Sequence, residues 1–151
     1  MKQKTIIANW GHAGQGKSET IRLVYDILIN NHGGTISNLI TPRGLTGGDI
    51  RVIITLNGFT IGIESQGDPN SRLFDSIPLF VQHNCDLIIC ATRTSGGTVR
   101  LVERTESNDG YRLIWSTNHR SRSNNINQNQ LNQYSADQLT DLVMNVLNGS
   151  V

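Results

Sequence analysis

A glycine-rich segment at residues 11–18, with the sequence GHAGQGKS, combines the residue types that bind phosphate groups. Glycines let the backbone curl so that successive N–H groups point inward at phosphate oxygens. Lys17 carries a positive charge toward the terminal phosphates, and the hydroxyl of Ser18 is an oxygen ligand suited to Mg²⁺. The spacing therefore predicts a site for a phosphate chain with a magnesium ion beside it.

The elements that flank this segment have to position it. Residues 4–9 read as a strand, and apolar residues recur with helical period over residues 17–30. The segment matches the Walker A pattern G-x-x-x-x-G-K-[ST], and residues 4–30 together resemble the P-loop NTPase superfamily. The resemblance implies that a nucleoside triphosphate binds at the loop, with Mg²⁺ on Ser18. The residues implied for the nucleotide are Gly11, His12, Ala13, Gly14, Gln15, Gly16, Lys17, Ser18 and Glu19.

Such a loop needs an acidic group at the end of a neighbouring strand to hold Mg²⁺ in its outer shell. Glu64 directly follows an apolar strand, and the stretch at residues 64–67 is similar to the D-x-x-G element of GTPase-type P-loop proteins, with Glu in place of Asp. In that family Gly67 would sense the γ-phosphate through its N–H. We expect Glu64 to hold Mg²⁺ through water or to act as a general base on the attacking water, with Asp68 as the alternative for either role.

Other polar residues are expected at the same edge of the sheet. GTPases keep a Mg²⁺-ligating threonine in a mobile loop, for which Thr41 and Thr46 are the candidates, and Arg43 shares that loop. Arg93 follows a buried strand and is predicted to stabilise the transferred charge or to grip a substrate phosphate. Thr92, beside it, would be a sensor hydroxyl.

The end of the last strand bears on which base is recognised. GTPases read guanine with the motif N-K-x-D. Asn118 fits its first position, but His119 and Ser121 depart from it. The sequence therefore favours ATP over GTP, with this strand end lining the base pocket.

Alternating strands and helices predict an α/β fold in a single domain over residues 1–151. We expect three layers, in which helices cover both faces of a mostly parallel sheet that has one antiparallel strand. An Asn57-Gly58 pair between two apolar strands predicts a hairpin. The remaining predictions are strands at 35–40, 51–56, 59–63, 86–91 and 112–116 (the last one buried), helices at 71–82 and 136–147, and a loop over 118–134. Residues 98–106 could form a helix or a strand, and a helix is favoured.

Composition narrows the setting. Of 151 residues, 13 are Lys or Arg and 12 are Asp or Glu, a net charge of +1 that provides no global field for nucleic acid or an anionic membrane. No apolar run reaches the roughly 18 residues of a membrane span. The apolar residues near the N-terminus are too few for the hydrophobic region of a signal peptide, so none is expected. Cys85 and Cys90 are expected to pack as small apolar groups. A cytoplasmic location is the expectation, with a protein partner or a homo-oligomer left open.

The first hypothesis is a Mg²⁺-dependent nucleoside triphosphatase, with ATP (or GTP) and Mg²⁺ as cofactors and Lys17, Glu64 and Arg93 as the catalytic residues. A small-molecule or nucleotide kinase is the second hypothesis, because arginines at positions 93, 100, 120 and 122 could clamp an anionic acceptor. A nucleotide-gated binding module with little turnover is the third.

Overall fold

The computed structural model describes residues 3–12, 14–41 and 48–151, with the backbone alone for residues 38–41. Six strands and four helices follow one another along these residues. They are β1 (Thr5–Trp10), α1 (Lys17–Asn30), β2 (Thr35–Thr41), β3 (Arg51–Leu56), β4 (Phe59–Glu64), α2 (Leu73–Gln82), β5 (Leu87–Thr92), α3 (Gly97–Asp109), β6 (Arg112–Thr117) and α4 (Gln128–Asn148).

The strands form one mixed sheet in the order β2-β3-β4-β5-β1-β6. β1 is parallel to β5 and β6, and β4 is parallel to β5, while β3 runs antiparallel to both β2 and β4. The α/β class and the single antiparallel strand are confirmed. The expectation that the strand before Glu64 neighbours the first strand is wrong, because β5 lies between β4 and β1.

Helices cover both faces of the sheet, because alternate residues of the central strands point to opposite sides. Ile7 and Ile89 pack with α1 and α4 in one apolar core, and Ile6 and Ile88 pack with α2 and α3 in the other. Cys85 and Cys90 are buried in the second core, as predicted, and burial raises the pKa of both thiols to about 12.

The hairpin between β3 and β4 is confirmed. Asn57 and Gly58 have φ values of 51° and 81°, as a type I′ turn requires at both central positions. The continuous apolar run of β5 is buried along its whole length, as predicted for a parallel strand with helices on both faces.

Two predictions fail at the C-terminal end. β6 is an edge strand rather than a buried one, and Trp115 on it is 41% exposed. α4 begins at Gln128, well before the predicted residue 136, because the side chain of Asn127 caps it by accepting from the N–H groups of Asn129 and Gln130.

Within the described residues, no helix is long and apolar enough to cross a membrane.

Candidate functional site

The glycine-rich loop joins the carboxyl end of β1 to the first turn of α1. Gly14 and Gly16 have φ values of 74° and 76°, a region that side chains with a Cβ disfavour. Gly16 is also pressed against α4, since a Cβ on it would lie 2.4 Å from Oδ1 of the buried Asn132. Backbone conformation and packing thus both favour glycine at position 16. Ala13 lies outside the described residues.

Lys17 is the first residue of α1 and only 6% exposed. Its ammonium group donates to the carbonyl of Gly11 and, at 3.2 Å, to that of His12. Burial lowers the pKa of Lys17 to about 8, with the carboxylate of Asp68 opposing this effect and the guanidinium of Arg93 reinforcing it. The loop therefore encloses a cation whose charge is only partly compensated by its own chain.

Other groups of the loop also bind one another. The N–H of His12 donates to Oε1 of Gln15 at 3.0 Å, so the Gln15 side chain folds back over Gly11. The Ser18 hydroxyl donates to the carbonyl of Ser65 at 2.8 Å, which ties the start of α1 to the end of β4. An arriving anion would compete with the Gln15 and Lys17 contacts for the inside of the loop.

A cavity of about 260 Å³ opens at this loop, lined by residues 14–19, Arg22 and Asp68. Asp68, which is 64% exposed, forms an ion pair with the partly exposed Arg93 at 2.8 Å. The structure thus brings Arg93 and the alternative acid Asp68 to the mouth of the cavity that holds Lys17. A larger cavity of about 410 Å³, between α2 and α3, holds none of the residues predicted to do chemistry.

Glu64 has a different environment from the one expected. It is fully buried on the α2 side of the sheet, where its two oxygens accept from Nε and Nη2 of Arg72 at 2.7 and 3.0 Å. The Ser76 hydroxyl and the N–H of Gln66 complete the set at 2.6 and 3.2 Å. Four donors occupy the carboxylate, so it has no acceptor position left for water or for the shell of an ion. Its contacts favour a structural role, whereas the alternative acid, Asp68, lines the loop cavity.

Gly67 is packed closely against β5. A Cβ on Gly67 would lie 2.3 Å from the carbonyl oxygen of Ala91 in β5. The glycine of the D-x-x-G-like element is therefore required by the close approach of this segment to β5.

Asp49 is a site residue that sequence reasoning missed. It accepts from the Ser65 hydroxyl at 2.8 Å and pairs with Arg22 at 3.2 Å, and Arg22 lines the loop cavity. Ser65 is itself buried and carries the carbonyl that binds Ser18. A lone acid at the end of a glycine-rich stretch gave no sequence signal for this position.

Asn118, at the end of β6, braces the loop from the other side. Its amide nitrogen donates to the carbonyl of Gln15 at 2.9 Å and to Oγ1 of Thr20 at 2.8 Å. Its oxygen accepts from the side chain of Asn9 in β1 at 2.7 Å. The prediction placed Asn118 near a base, whereas the contacts make it a positioning residue for the loop.

Two buried side-chain atoms in the described part of the chain have no hydrogen-bond partner, Oδ1 of Asn9 and Oγ1 of Thr92. Both residues lie at the carboxyl ends of adjacent strands, β1 and β5, where open α/β sheets bind ligands. Unsatisfied buried polar atoms are rare and call for a specific explanation.

The loop fits a phosphate chain with Mg²⁺, because its donors are backbone N–H groups and a lysine, and because Ser18 and Asp68 supply hard oxygen ligands near one another. Within the described ranges, no group of three His, Cys, Asp or Glu side chains could hold a metal ion. Arg43 and Thr46 lie outside the described residues, as does the side chain of Thr41.

Comparison with known proteins finds no family model and no curated protein that matches the sequence. One solved structure to which the chain is similar is the crystal structure of APE1195, with 11% sequence identity, a TM-score of 0.40, and coverage of 100% of this chain and 75% of that one. A likeness at this level carries no argument about function.

Proposed function

We propose that the chain has a P-loop NTPase-like fold and binds a nucleoside triphosphate with Mg²⁺ at residues 11–19, cleaving its β–γ bond. The observation that carries this proposal is the buried Lys17 ammonium, held on carbonyls of its own loop inside a cavity lined by the first turn of α1. A compact cation at a helix N terminus is what a chain of phosphates requires.

Each residue of the site has a part in this proposal. Lys17 exchanges its bonds to the loop carbonyls for the β- and γ-phosphates, and Ser18 exchanges the Ser65 carbonyl for Mg²⁺. Asp68 holds the shell of the ion from the facing side. When bound, Mg²⁺ neutralises charge on the transferred group. Asn118 keeps the loop in register with β6 through the Gln15 carbonyl.

Arg93 would act on the transferred group in this proposal. It shares the cavity mouth with Asp68, and nucleotide binding would free its guanidinium when Asp68 turns to the ion shell. Stabilising charge that develops in the transition state is the larger part of catalysis in such sites. ATP is the favoured nucleotide, since the residues after Asn118 lack the guanine-reading pattern, and GTP is the alternative.

Nucleotide binding tests the proposal directly. Trp10 immediately precedes Gly11, so its fluorescence, followed in a Trp115→Phe background, should report titrations with MgATP and MgGTP, and released phosphate should report turnover. Lys17→Ala should abolish binding, whereas Lys4→Ala removes a lysine before the start of β1 and is the matched control. If Lys17→Ala binds MgATP with the affinity of the natural chain, the proposed site is wrong.

A further inference from the structure

A second strand–glycine loop–helix unit lies beside the first. β5 ends at Thr92, and α3 begins at Gly97 after Gly96, whose φ of 89° and ψ of −151° suit glycine alone. The start of α3 has no side-chain cap and no acidic residue in its first turn. Arg93 lies in the loop, and Arg100 is exposed in that first turn.

The two loops follow adjacent strands and are in direct contact. From β1 the chain passes through α1 toward β2, and from the adjacent β5 it passes through α3 to β6 on the other side of β1. This is the switch point of the sheet, where ligands of open α/β folds bind. The N–H of Gly11 donates to the Thr92 carbonyl at 3.2 Å, and the Trp10 indole donates to the Thr94 carbonyl at 3.3 Å, so the loops are in direct contact.

Thr92 supplies an independent reason to expect a ligand at the second loop. Its hydroxyl is fully buried and has no partner among the described residues, and strand alternation places Thr92 on the face that α3 covers, together with Ile88 and Cys90. The N–H of Arg93 donates to Oγ1 of Thr98 at 3.0 Å, which brings the first turn of α3 against this strand end. Thr92 therefore lies at the foot of the loop, on the face of the sheet that α3 covers.

We propose that residues 92–98 bind the phosphate group of a small phosphate monoester, which accepts the γ-phosphoryl group of the nucleotide on the first loop. The Thr92 hydroxyl, the uncapped N–H groups of α3 and the Arg93 guanidinium are its donors. Trp10, 38% exposed at the same edge, offers a flat surface for a ring on the acceptor, which makes nucleoside monophosphates the first choice of probe. This inference rests on the proposed nucleotide site.

The proposed phosphoryl transfer is compatible with the environment of Glu64. A phosphate oxygen of the acceptor attacks the γ-phosphorus, the bond to the β–γ bridging oxygen breaks, and the electron pair leaves with the nucleoside diphosphate. A phosphate monoester dianion has no proton to lose on attack, since its second pKa is near 6. No general base is needed, which fits the full engagement of Glu64 with four donors.

The experiment measures acceptor binding and transfer separately. The protein with MgADP bound is titrated with AMP, CMP, GMP and UMP, with ribose 5-phosphate and with inorganic phosphate, and Trp10 fluorescence is followed. MgATP labelled in the γ-phosphate is then added, and label transferred to the monoester is separated from free phosphate. Stronger binding of a nucleoside monophosphate than of ribose 5-phosphate would place the ring on Trp10, and equal binding would restrict the site to the phosphate.

Variants at Thr92 decide the outcome. Thr92→Val should weaken monoester binding by roughly tenfold or more without lowering the melting temperature, because the hydroxyl it removes has no partner in the part of the chain that the structure describes. Thr92→Ser keeps the hydroxyl and should retain binding. Thr105→Val is the control. It removes a buried hydroxyl of α3 that donates to the Leu101 carbonyl, and it should leave monoester binding unchanged.

Three results would overturn the inference. They are saturable MgATP binding with no binding of any monoester, equal monoester affinity in Thr92→Val and the natural chain, and label found in free phosphate alone with a saturating monoester present. A protein that fails to bind MgATP at all would instead overturn the proposed function, and the inference with it.

Discussion

Nε of Arg93 lies 2.8 Å from Oδ1 of Asp68, across the mouth of the cavity that contains Lys17. The two side chains act on Lys17 in opposite directions, since Asp68 raises its pKa and Arg93 lowers it. We therefore expect substitutions at the two residues to change the pKa of Lys17 in opposite directions, on top of the larger effect of burial.

Substitutions at this pair should shift the pH dependence of nucleotide binding in opposite directions. Binding needs the protonated lysine, so MgATP affinity should fall as the pH rises through about 8 in the natural chain. Asp68→Asn removes the group that raises the pKa and should move this midpoint to lower pH, whereas Arg93→Ala should move it to higher pH. Dissociation constants measured from pH 6.5 to 9.5 test this, and shifts of the same sign would contradict it.

Glu64→Gln should cost stability rather than chemistry alone. Removing one charge from a buried ion pair leaves Arg72 uncompensated, a change that typically costs about 3–5 kcal/mol. Urea unfolding should show this loss, with Glu103→Gln, an exposed acid on α3, as the control. A Glu64→Gln protein as stable as the natural chain, with normal nucleotide binding but no turnover, would return the catalytic role to Glu64.

The sequence predicted the strand–loop–helix unit because its signals are local. Glycines at fixed spacing, a lysine at a helix start and an Asn-Gly turn each act within a few residues of themselves. Neither the order of the strands nor the position of β4 follows from such signals, because long-range pairing decides them. That is why Glu64 was expected beside β1 and is found one strand away, on the α2 side.

α4 shows the same limit in a polar segment. Its first half is rich in Asn and Gln, which indicates a loop by composition. In the structure Asn132 and Ser135 are buried at the glycine-rich loop and the end of β6, where Asn132 contacts Gly16 and the Ser135 hydroxyl accepts from the N–H of His119. These residues are buried by contacts with the glycine-rich loop and the end of β6, which are distant in sequence, so the local sequence does not predict their burial.

Asn118→Leu should loosen the glycine-rich loop. The change deprives the Gln15 carbonyl and the Asn9 side chain of their partner, and each buried group left unpaired costs about 1–3 kcal/mol. We expect lower stability together with weaker MgATP binding, and faster hydrogen exchange of the amides at residues 14–16. Asn124→Leu, in the exposed loop after β6, is the matched control. Unchanged exchange at the loop would show that Asn118 does not hold it.

Lys17→Met should stabilise the ligand-free protein at neutral pH while removing nucleotide binding. Burial lowers the pKa of Lys17 to about 8 from its ordinary value of 10.5, so the charged form is disfavoured in the folded state. For a base with a lowered folded pKa, the penalty is full below about pH 8 and disappears as the pH rises toward the unfolded value. The variant should exceed the natural chain by about 1–3 kcal/mol at pH 7, and the difference should vanish near pH 10.5. Urea unfolding of both proteins across this range isolates Lys17, because the other titrating groups are common to the two. A variant that is less stable at pH 7 would mean that the bonds from Lys17 to the Gly11 and His12 carbonyls outweigh the cost of burying its charge.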